Sequence, residues 1–93
     1  MTRDQYTYRI PLVFANRNYM SFGKRLFEER KKNKLSAEEL ARLCGISRSY
    51  ITLMEGGHRL PGKKIIPKIA TALNIKINIL INWYLEDLRE KLQ

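Results

Sequence analysis

The chain has one cysteine and one histidine in 93 residues. Cys44 therefore has no partner for an internal disulfide, and with His58 as the lone histidine there is no plausible zinc-ligand set. A reducing compartment fits that composition. Acids are also scarce, nine against 18 lysines and arginines. The adjacent ones, Glu28-Glu29, Glu38-Glu39 and Glu86-Asp87, sit on expected helix surfaces and make no catalytic constellation. No enzyme, metal or cofactor is expected. Long apolar runs are missing too, because Lys76, Asn78 and Asn82 interrupt the richest stretch, Ile75 to Leu85, which excludes a membrane span. Met1-Thr-Arg-Asp-Gln lacks the basic, apolar, small order of a secretion signal. A soluble, cytoplasmic, single-domain protein is expected.

What is abundant is positive charge: a net +9 and a pI near 10.0. Residues 1–35 carry nine basic and three acidic side chains, residues 36–75 six and three, and residues 76–93 three of each. The first three quarters of the chain thus suit a polyanion, and the neutral tail needs another explanation.

Tyr6, Tyr8, Ile10, Leu12 and Phe14 alternate with Thr7, Arg9, Pro11 and Val13, which predicts a short edge strand in an N-terminal arm over residues 1–20. With no second strand in the sequence, it must pack on helices, pair with another copy or add to a partner's sheet. The rest reads as all-α. A first helix from Ser21 to about Lys32 turns Phe22, Leu26 and Phe27 inward, with Lys24, Arg25, Lys31, Lys32 and Lys34 mostly a solvated face. Ser36 and Glu39 form a capping box for a second helix whose inner positions are Leu40, Ala41, Leu43 and Cys44. Gly45 ends it in the left-handed region and Ser47 caps a third helix two residues later, with Ile46, Ile51 and Met54 filling the corner. Gly56-Gly57 closes that helix with positive-φ conformations. His58 to Lys64 is a basic loop turning at Pro61-Gly62. Pro67 starts a fourth helix with Ile66, Ile69, Ala70 and Leu73 inside. In a fifth, extended helix, Ile77, Leu80, Ile81, Tyr84, Leu85, Leu88 and Leu92 form a stripe wider than one core needs, pointing to another copy.

Two helices joined across Gly45 make a helix-turn-helix over residues 36–56, whose second helix is shaped to enter the major groove of double-stranded DNA. Ser47, Arg48, Ser49 and Thr52 would reach bases, Arg48 by donating twice to guanine O6 and N7. Leu53 would meet a thymine methyl or serve the core. Phosphate contacts fall to Ser36, Arg42, Tyr50, His58, Arg59, Lys63 and Lys64. Single-stranded RNA is disfavoured, because the aromatics form no stacking platform.

These segments resemble the lambda-repressor-like, or XRE-type (Cro and 434-repressor type), helix-turn-helix family. Gly23 and Arg30, Leu35-Ser36, Glu39-Leu40-Ala41, the run Gly45 to Ile51, Glu55-Gly56-Gly57 and Pro67 to Ile75 carry the resemblance, which covers residues 22 to about 82. It implies a homodimer on a two-fold operator with half-sites about 34 Å apart or a multiple. It also implies that Arg30 pairs with Glu55 structurally, without reading DNA. Ala37 departs from the family, which often has a phosphate-touching glutamine there, and the loop before Pro67 is one residue longer than in 434-type domains.

The expected architecture is therefore an arm (1–20), a DNA-binding core (21–75) and a dimerising C-terminal helix (76–93). Dimer contacts are expected at Tyr8, Ile10 and Leu12 of the strand or at Leu80, Tyr84 and Leu88 of the helix. The expected function is a sequence-specific transcriptional regulator, a repressor, of bacterial, phage or mobile-element origin. The alternative is an antitoxin or anti-repressor module whose strand or final helix binds a protein partner.

Overall fold

A computed structural model of the chain describes residues 20–92. Five helices follow in order: α1 (Phe22–Lys32), α2 (Ala37–Cys44), α3 (Arg48–Glu55), α4 (Ile65–Leu73) and α5 (Ile77–Lys91). The expected strand at residues 6–14 lies outside the described residues.

Helix boundaries follow local chemistry. Ser21 Oγ accepts from Lys24 N (3.1 Å) and starts α1. At its end, Lys34 N donates to Lys31 O (3.0 Å) and Leu35 N to Arg30 O (3.1 Å), with Lys34 in the left-handed region at φ 57°. This satisfies carbonyls that a helix terminus leaves unpaired. The capping box of α2 is complete: Glu39 N donates to Ser36 Oγ (3.0 Å) and Ser36 N to Glu39 Oε1 (2.7 Å). Gly45 closes α2 at φ 69°, and Ser47 Oγ accepts from Tyr50 N (3.1 Å) to open α3. Of the glycine doublet only Gly57 takes positive φ, at 80°, while Gly56 stays right-handed. Pro67, in the first turn of α4, needs no helical N–H partner.

Phe22, Leu26, Leu40, Cys44, Ile51, Met54, Ile69, Leu73 and Leu80 form one buried core drawn from all five helices. Around it α2 packs on α3 and α4, α1 on α3 and α5, and α4 on α5. At Gly23 the α1 backbone meets the carboxyl end of α3 so closely that a Cβ would collide with the Met54 carbonyl oxygen.

Three expectations about facing require correction. Phe27 is exposed, because inward positions on α1 recur every four residues at Phe22, Leu26 and Arg30; its ring lies under Arg30 (5.3 Å) and Lys31 (5.8 Å) instead. Leu43 is 59% exposed, because α2 presents Leu40, Ala41 and Cys44 inward and leaves Leu43 on the rim beside Pro67 and Ala72 of α4. The broad stripe on α5 splits in two. Leu80, Trp83, Tyr84 and Asp87 turn toward the bundle, and Asp87 is buried beside Lys91 Nζ (3.2 Å). Ile77, Ile81, Leu85 and Leu92 are exposed on a neighbouring strip. At 100° per residue the two strips lie side by side, so periodicity alone merges them.

Candidate nucleic-acid interface

The short link through Gly45 holds α3 against α2, with Ile51 and Met54 fully buried and the opposite face free. Arg48, Ser49, Thr52 and Leu53 are exposed and line one shallow concavity on that face. Leu53, for which sequence left two roles open, points outward. Thr52 Oγ1 donates to Arg48 O (3.1 Å), so its hydroxyl presents lone pairs to solvent. Ser47 is exposed too, and its Oγ keeps a proton to donate while it accepts the cap bond. The face therefore offers a guanidinium fork, adaptable hydroxyls and an apolar tip.

A basic rim surrounds it. The loop after α3 is tied to that helix twice: His58 N donates to Leu53 O (2.9 Å) and Gly62 N to the Tyr50 hydroxyl (3.1 Å). The Arg59 guanidinium stacks 4.2 Å from the centre of the Tyr50 ring. Tyr50, half-buried, thus anchors the segment carrying the exposed Lys63 and Lys64. Arg42 is exposed on α2, and Ser36 sits at that helix's amino end. Sequence reading placed Tyr50 among phosphate ligands but missed its anchoring of the loop, since no spacing rule links a helix residue to an amide 12 positions on.

Arg30 lies apart from this set. Its Nε donates to Glu55 Oε2 (2.7 Å), its Nη2 to Glu55 Oε1 (2.9 Å) and its Nη1 to the Leu35 carbonyl (2.9 Å). Both side chains are about nine-tenths buried. The hydrogen bonds to Glu55 hold the Arg30 guanidinium pKa above its ordinary value against the opposing effect of burial. A forked ion pair of this kind braces α1 to the end of α3.

The expected dimer contacts fare differently. Tyr8, Ile10 and Leu12 lie outside the described residues. Leu80 is fully buried in the protomer's own core, so it is not a surface for a second copy. Tyr84 packs edge-on against Phe22, with ring centroids 6.5 Å apart, and Leu88 is half-buried. The solvent-facing apolar side chains of α5 are their neighbours Ile77, Ile81, Leu85 and Leu92. Among the described residues no helix is long and apolar enough to cross a membrane.

Comparison with known proteins agrees with this geometry. The helix-turn-helix family profile matches residues 26–80. The ImmF control region 10 kDa protein of Bacillus phage phi105 is 34% identical over 58 residues, 62% of this chain and 64% of that protein's length. The restriction-modification controller protein C.AhdI from Aeromonas hydrophila is 46% identical, with a TM-score of 0.60 over 63% of this chain and 89% of that one. SinR, the master regulator for biofilm formation, in complex with DNA, is 26% identical, with a TM-score of 0.60 over 64% of this chain and 97% of that one. With capping box, Gly45 turn and Arg30–Glu55 brace all in place, the chain belongs to the helix-turn-helix family in its lambda-repressor-like, XRE-type form.

Proposed function

We propose that the protein is a transcriptional repressor that binds a two-fold duplex operator as a homodimer, with α3 in the major groove. The observation that carries this reading is the exposed concave face of α3, where Arg48, Ser49, Thr52 and Leu53 converge beside a basic loop. SinR, of similar fold, has been solved with DNA, which supports the same use of this surface. Arg48 reads guanine, Ser47, Ser49 and Thr52 supply adaptable hydrogen bonds, and Leu53 meets a thymine methyl. Ser36, Arg42, Tyr50, His58, Arg59, Lys63 and Lys64 grip phosphates and set the register. Residues 21–75 are the DNA-binding core, and residues 76–93 join two copies through Ile77, Ile81, Leu85 and Leu92.

The test is a duplex selected from a random pool. Arg48→Ala should weaken binding to it roughly 5- to 150-fold, while binding to a scrambled duplex changes little. Equal loss on both duplexes refutes base reading by Arg48.

The same exposed strip of α5 favours a second reading, an antitoxin or anti-repressor that clamps another protein. Light scattering on the purified chain separates the two. A monodisperse dimer supports the repressor; a chain that aggregates until a partner protein is added supports the alternative.

A further inference from the structure

The end of α1 carries an anomaly that the proposed function leaves unused. Lys34 occupies the left-handed position of the α1 closure, at φ 57°. Glycine or asparagine ordinarily fills that position, because a Cβ crowds the following carbonyl there. A strained residue that persists invites the question of what its side chain does. Lys34 lines an open concavity together with Lys31, Ser36 and Arg48, where the end of α1 meets the starts of α2 and α3.

The charges at this place are unevenly spent. Arg30 is matched by Glu55, and Lys32 Nζ lies 3.1 Å from Glu29 Oε2. Glu39, the acid in the same lining, is turned onto Ser36 N at 2.7 Å. Lys31 and Lys34 are exposed and form no ion pair among the described residues. The concavity is therefore positively charged on its α1 side, and Arg48 links it to the face of α3.

Resting on the reading that α3 enters duplex DNA, we infer that Lys31 and Lys34 form a phosphate-binding shelf for the strand flanking the base pair that Arg48 reads. The ligand is the phosphodiester backbone, and the shelf adds two contacts that carry no base preference. Lys34 keeps its strained backbone because glycine there would remove an ammonium group from the shelf.

At Lys34, stability and binding should move in opposite directions. Lys34→Gly should raise Tm by roughly 2–6 °C by relieving the left-handed strain. It should also lower the slope of log K against log salt by about 0.9, one phosphate contact. The probe is a short fluorescein-labelled mixed-sequence duplex, followed by anisotropy across a sodium chloride series. Lys31→Gln should lower the slope by a similar step and Lys34→Arg should restore it. Lys32→Gln, already paired with Glu29, should leave it unchanged. If the wild-type chain binds the duplex while Lys34→Gly and Lys31→Gln keep its slope, the shelf is refuted and the DNA reading stands. A wild-type chain that fails to bind any duplex overturns the DNA reading, and the shelf with it.

Discussion

Replacing Glu55 by glutamine tests whether the Arg30–Glu55 brace holds α3 in place. The carboxylate accepts two charge-assisted hydrogen bonds, at 2.7 and 2.9 Å, from a guanidinium about nine-tenths buried. Hydrogen bonds to charged groups are each worth about 1.5–3 kcal/mol, and stranding one partner of a buried ion pair costs about 3–5 kcal/mol. Glutamine keeps the shape and one acceptor oxygen, so the cost falls somewhat below that of a fully stranded partner, at about 2–3 kcal/mol. A domain of this size has only about 5–10 kcal/mol in total. Tm should therefore fall by roughly 10–20 °C. Urea unfolding followed by circular dichroism would read the change as a lower midpoint with an unchanged slope. Arg30→Met should destabilise similarly. The double variant Arg30→Met/Glu55→Leu, which leaves no stranded charge, should be less damaged than the sum of the single variants. A loss below about 0.5 kcal/mol for Glu55→Gln, or strict additivity in the double variant, would refute the brace.

Two further outcomes are expected. Gly23→Ala should destabilise by about 1–2 kcal/mol in the same assay, because overpacking against the carbonyls of Met54 and Glu55 outweighs the usual helix gain of alanine over glycine; a stabilised variant would show that α1 and α3 separate freely. Hydrogen bonds from the Ser36 backbone and side chain hold the Glu39 carboxyl below its ordinary pKa. Its stabilisation is thus present above the unfolded value, about pH 4.3, and is lost as pH falls through the folded value. The advantage of wild type over Glu39→Gln in urea midpoint should shrink with acidification across that window, and an advantage that grows there refutes the assignment.

Much of this fold was legible because its boundaries are local. Ser36 with Glu39, Gly45 and Ser47 act within one turn of chain, and the structure shows each in its expected role. The Arg30–Glu55 pair spans 25 residues and came from family resemblance, since no periodicity joins the two. What escaped was decided by tertiary packing. Leu43 and Phe27 are apolar residues at helical spacing, and only the placement of α4 and the inward turn of Arg30 leave them outside. Asp87 escaped for the same reason: an acid between apolar helix positions is ordinarily solvated, and only the packing of α5 on the bundle buries it. At Lys34, nothing in the sequence signals a left-handed lysine where glycine is the ordinary choice. On α3, helical spacing alone puts Arg48, Ser49 and Thr52 on the exposed side, and the structure adds Leu53 to the same face.

The hydroxyl of Tyr50, bonded to Gly62, has a thermodynamic consequence. Fixing a residue's backbone costs about 1–2 kcal/mol of conformational entropy, and a loop that orders only on contact bears that cost during association. Here the segment from His58 to Gly62 is already fastened to α3 at both ends. Its ordering falls on folding instead, so under the proposed DNA reading Arg59 meets the phosphate backbone preorganised. Under that reading, Tyr50→Phe would shift that entropy back onto the encounter and also remove the hydroxyl's own phosphate contact, leaving every charge in place while weakening binding.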